Sequence, residues 1–96
     1  MSFTHYRNSF TINGSDDIGS ITTSAPVGEN AISAGFDAPD GDDHGVRLVA
    51  IEAFPQVGTD PNDTNFQRGG VKVKFYAPSS VDNMTVYVSM YTSPVA

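Results

Sequence analysis

The chain has no cysteine and no tryptophan, and little charge: five Lys and Arg against eleven Asp and Glu in 96 residues. Without cysteine there is no disulfide, no thiolate metal site and no thiol nucleophile. Small secreted domains often depend on disulfides, so this absence points to folding in a reducing cytoplasm. No apolar run approaches the roughly 20 residues of a membrane-spanning helix. The opening residues, Met1-Ser2-Phe3-Thr4-His5-Tyr6-Arg7, contain no hydrophobic signal segment. The basic residues Arg7, Arg47, Arg68, Lys72 and Lys74 form no run, and the net charge is −6. An acidic surface repels phosphate, so neither a nucleic-acid nor a membrane partner is expected.

What the chain does have is Gly, Ser, Thr, Asn and Asp between short apolar stretches, a mix that suits strands joined by turns. Alternation and β-propensity predict six strands: about Asn8 to Asn13, Ile18 to Thr23, Asn30 to Phe36, Val46 to Phe54, Val71 to Ala77 and Asn83 to Thr92. Asn13-Gly14-Ser15-Asp16-Asp17 is a turn signal. The fifth strand sets Val71, Val73 and Phe75 against Lys72, Lys74 and Tyr76. The sixth sets Met84, Val86, Val88 and Met90 against Thr85, Tyr87, Ser89 and Tyr91. Both are expected to be half-buried antiparallel strands, joined by Pro78-Ser79-Ser80-Val81-Asp82. The fourth strand is apolar on both sides and is expected to be central. The fold expected is all-β: a single antiparallel β-sandwich or small barrel of about six to eight strands, over residues 8–96. Residues 1–7 are expected to form an N-terminal arm that either docks on a neighbouring subunit or frays.

The stretch Ala25-Pro26-Val27-Gly28-Glu29-Asn30-Ala31-Ile32-Ser33-Ala34-Gly35-Phe36 resembles a Cys-Pro-x-Gly-x-x-Ala-(Val/Ile)-x-Gly-Gly-(Phe/Tyr) opening. That opening belongs to small β domains found in phage virion proteins and exported actinobacterial proteins. Gly70 to Ser79 is similar to a later strand of that family. Met84-Thr85-Val86-Tyr87-Val88-Ser89-Met90 is similar to its closing Val-Thr-Val-Tyr-Ala-x-Cys. The resemblance covers about Ser24 to Tyr91. Both family cysteines are absent, with Ala25 and Met90 in their places, as a dispensed disulfide would leave. The family implies no catalytic residues. The closing pair of strands also resembles the H-type lectin sandwich.

No arrangement typical of nucleophilic catalysis is present, and the chain is expected not to be an enzyme. His5 and His44 are its only histidines, and there is no Gly-x-Ser-x-Gly. No cofactor is expected. Glu52, the one acid inside an apolar strand, is expected at a sheet edge, paired with Lys72, Lys74 or Arg47. The acidic loop with Asp37, Asp40, Asp42 and Asp43 offers oxygen ligands for Ca²⁺, but its spacing does not fit an EF-hand, and a solvated turn explains it. The same holds for Asp60 to Asn65. The candidate binding residues are Tyr76, Tyr87, Tyr91, Lys72 and Lys74, expected on one sheet face. Such a face suits a partner protein, an intersubunit seam or a surface glycan. The function expected is that of a structural virion protein of a bacteriophage, a capsid decoration or a tail or fibre module. Its partners would be other virion proteins or copies of itself, met in the host cytoplasm. The alternative is a carbohydrate-binding module or receptor-binding tip.

Overall fold

The computed structural model describes residues 3–41 and 44–95. It contains six strands: β1 Thr4–Ile12, β2 Asp17–Ser24, β3 Glu29–Asp37, β4 Arg47–Phe54, β5 Gly70–Ala77 and β6 Met84–Pro94. They form two three-stranded antiparallel sheets, ordered β1-β6-β3 and β2-β5-β4. The two sheets pack face to face as a small β-sandwich.

β5 and β6 are the two central strands, one in each sheet, and do not pair with each other. This corrects the expectation that they form one antiparallel pair. Each carries an unbroken apolar row, Val71, Val73, Phe75 and Ala77 on β5 and Val86, Val88 and Met90 on β6, all buried. Side by side in one sheet, the two rows would face the same way and need a further layer to cover them. Stacked in opposite sheets, they cover each other. The link between them is pinned to allow the crossing. Val81 is buried, its N–H donates to Pro78 O (2.9 Å), and its carbonyl accepts from Gly14 N (2.8 Å). Ser79 N donates to the Asp16 carboxylate (2.8 Å) and Asn83 N to Asn13 Oδ1 (2.9 Å). Gly14 is needed there because a Cβ on it would lie 1.6 Å from Pro78 O.

β4 is an edge strand, contrary to the central position expected. Leu48 and Val49 are 48% and 52% exposed. A two-layer sandwich has no third layer, so none of its strands is covered on both faces. The register of β4 shifts between Leu48 and Ala50, a bulge at Val49. Only Ile51 and Phe54 of the strand are partly buried. The apolar residue that anchors this region is Val46, buried just ahead of the strand.

The expected arm is also corrected. From Thr4 onward the chain is already strand, with Thr4 to Ile12 in continuous register against Thr92 to Met84. Tyr6 packs on the core while His5 and Arg7 take the other face, a period of two that one apolar residue signals weakly.

Candidate binding face

The five residues expected on one face fall on two opposite ones. Lys72, Lys74 and Tyr76 alternate with the buried row of β5 and lie on the outer side of β2-β5-β4. Tyr87 and Tyr91 alternate with the buried row of β6 and lie on the outer side of β1-β6-β3. Correct alternation within each strand placed each side chain. The stacking of β5 on β6 turned their outward rows in opposite directions.

On β1-β6-β3 the register brings His5, Tyr91 and Ser33 into line, then Arg7, Ser89 and Gly35, then Ser9, Tyr87 and Asp37. The His5 and Tyr91 rings stack with centroids 4.5 Å apart and planes 21° from parallel. The Arg7 guanidinium lies 3.8 Å over the Tyr87 ring centre. Arg7 also donates to the Asp37 carboxylate at 3.5 Å, the one ion pair among the described residues. Cation and ring attract through the ring quadrupole, and the Asp37 carboxylate contacts the same guanidinium. Gly35 and Ser89 keep the floor between the two rings low: a Cβ on Gly35 would come within 3.0 Å of Ser89 Oγ. The result is a flat plate of two capped rings, one ion pair and several hydroxyls. His5 and Arg7 were not among the expected site residues, and Asp37 was expected only as an oxygen ligand of the acidic loop, not as the partner of Arg7. The available signal was the spacing of His5 and Arg7, two apart in a Ser- and Thr-rich stretch.

The outer face of β2-β5-β4 is more basic. In register, Lys72 stands between Thr22 and Glu52, Lys74 between Ser20 and Ala50, and Tyr76 between Ile18 and Arg47. Three of the five basic residues therefore meet here, with Glu52 opposite Lys72 on the edge strand. The edge position is the one expected for Glu52; the expected ion pair with Lys72, Lys74 or Arg47 does not occur among the described residues.

The acidic loop divides. Asp37 is engaged by Arg7, and the carbonyl of Asp40 faces His44 Nδ1 at 2.9 Å. Asp42 and Asp43 lie outside the described residues. No group of three metal-ligating side chains occurs among the described residues. In the second loop, the Asp60 and Asp63 carboxylates accept from Asn62 N and Asn65 N at 3.0 Å each, the geometry of Asx turns.

Beneath these faces, at one end of the sandwich, Glu29 is half-buried. The Tyr6 hydroxyl donates to its carboxylate at 3.3 Å, and the fully buried Thr92 hydroxyl donates to it as well. Burial pushes the Tyr6 hydroxyl above its ordinary pKa, and the charge and hydrogen bond of Glu29 add to the shift.

Comparison with family models, curated proteins and solved structures finds no match to this chain.

Proposed function

We propose that this protein is a non-enzymatic structural component of a bacteriophage virion, a capsid decoration or a tail or fibre module that assembles through protein–protein contacts. The observation that carries the reading is the plate on β1-β6-β3, where Arg7 lies over Tyr87 and His5 over Tyr91. Tyr and Arg supply a disproportionate share of protein–protein binding energy. Side chains that already rest on one another lose less rotamer freedom when a partner covers them. A flat plate fits a flat protein surface. The virion part of the proposal comes from the resemblance over Ser24 to Tyr91 to small β domains of phage particles.

The plate favours this reading over the carbohydrate-binding one. Sugars stack on bare ring faces. Here a guanidinium occupies one ring and an imidazole the other, so a glycan would have to displace both.

The test is the protein content of washed phage particles from cells that make this chain. The chain is expected in a fixed ratio to the major capsid protein, and the Arg7→Ala/Tyr87→Ala variant is expected to wash off. Particles free of the chain overturn the proposal. Binding to a glycan array would move the assignment to the sugar-binding module instead.

A further inference from the structure

Each sheet has two free edges, and a free edge is a template for another strand. The edges differ. β3 and β4 lie against each other on one side of the sandwich, and each is broken by a register shift, at Ile32 and at Val49. β4 also carries Arg47 and Glu52. Bulges and edge charges are devices that keep an edge from pairing. β1, at the other edge of its sheet, lacks a bulge. Its whole length keeps register with β6, and it contains no proline, glycine or acid. In a chain with eleven acidic residues, two copies can meet on such an edge without carboxylate repulsion.

The pattern along β1 is also self-complementary. Asn8 is its midpoint. Tyr6 and Phe10 stand at equal distances on either side of Asn8, both only partly buried and both packed on the core. The outer face carries cation-capable His5 and Arg7 before the midpoint and the hydroxyls of Ser9 and Thr11 after it. In an antiparallel pairing centred on Asn8, Tyr6 of each copy stands opposite Phe10 of the other. Arg7 then stands opposite Ser9, and His5 opposite Thr11. Each pair occurs twice, and no like charges stand directly opposite; the two Arg7 side chains are diagonal neighbours across the axis, each drawn to the Asp37 and Tyr87 of its own copy.

We propose that β1 pairs with β1 of a second copy of this chain about a two-fold axis at Asn8, joining two three-stranded sheets into one sheet of six. The pairing rests on the edge alone and would hold for a sugar-binding module as well as for a virion protein.

The test is mass in solution by light scattering, from about 1 μM to about 1 mM, a range wide enough for the small area of one strand pair. Twice the chain mass is expected at the upper end. Ser9→Lys places a cation opposite Arg7 of the second copy and is expected to weaken association at least about tenfold. Ser9 is exposed, so the fold should tolerate the change. Asn8→Cys, in a chain with no other cysteine, is expected to give disulfide-linked dimers on oxidation. Val49→Cys, exposed on the β4 edge at the far side of the sandwich, is expected not to. A monomer throughout, a dimer indifferent to Ser9→Lys, or equal cross-linking at both positions overturns the proposal.

Discussion

At the scale of single residues, the polar groups that matter most to the fold are the ones placed against apolar ones. Glu29 begins β3, and the buried Thr92 hydroxyl and the Tyr6 hydroxyl both point at its carboxylate. No buried side-chain nitrogen or oxygen among the described residues lacks a partner. The Arg7–Asp37 pair differs in kind. Both side chains are more than half exposed, at 52% and 62%, so the pair orders the plate and adds little stability. The Glu29 cluster has a pH signature. An unfolded chain ionises tyrosine near 10.0, whereas folded Tyr6 ionises above that value. The stability this contributes is complete below about pH 10 and is lost as pH rises through the folded value. Urea midpoints measured from pH 8 to 11 should therefore fall more steeply for the parent than for Tyr6→Phe. Parallel curves would show that Tyr6 does not couple ionisation to folding.

At the scale of elements, exposure runs against apolar content. Val49 lies on β4, the strand apolar on both sides, and Val73 on β5, which alternates with Lys72 and Lys74, yet they are 52% and 0% exposed. Val49→Ala is expected to change stability by no more than about 0.5 kcal/mol. Val73→Ala is expected to cost about 2–3 kcal/mol, from lost transfer energy and an unfilled cavity. Chemical denaturation of the two variants checks this, and equal costs would mean that β4 is covered. The same contrast shows what can be read before the structure. All six strands were legible from alternation and turn chemistry, with ends off by a residue or two except at β1. The sheet each strand joins was not legible. Alternation fixes which side chains share a face of their own strand, while pairing is decided by how apolar rows cover one another. Tyr87 and Tyr91 could thus be placed together on β6. Tyr76, Lys72 and Lys74 could not be separated from them. His5 and Arg7 were hidden because their stretch carries few apolar residues to mark it as strand.

At the scale of the whole molecule, the sandwich is long and thin, about 44 × 29 × 18 Å with a radius of gyration of 14.8 Å. A compact chain of about 100 residues would be nearer 13 Å. Its core is two buried clusters in series, one around Phe75, Ala77 and Val86, the other around Val71, Val73, Val88 and Met90. Phe10, Ile21 and Phe36 touch both and couple them. Each sheet has one apolar face, so neither stands without the other, and what holds the two together decides stability. Ala25 and Met90 matter in that respect. Ala25 follows β2 in one sheet, its N–H donating to Gly69 O at 2.7 Å, and Met90 sits on the central strand of the other. Both are buried in the same cluster, 0% and 2% exposed. If the resemblance proposed from the sequence holds, these are the positions of the family's cysteines, and Met90 packed in the same cluster as Ala25 would fill the space of the bridge. Ala25→Cys/Met90→Cys is therefore expected to close a disulfide on oxidation, read as protection from a thiol reagent and a two-hydrogen loss in mass. The oxidised form should exceed the reduced form by roughly 4 kcal/mol, from the loop-closure entropy of a long intervening chain. The reduced form should fall below the parent by about 1–3 kcal/mol, because cysteine leaves part of the methionine volume empty. Thiols that stay free under oxidation would show that the two sites never approached bonding distance, and the likeness to the cysteine-containing family would then stop at strand pattern.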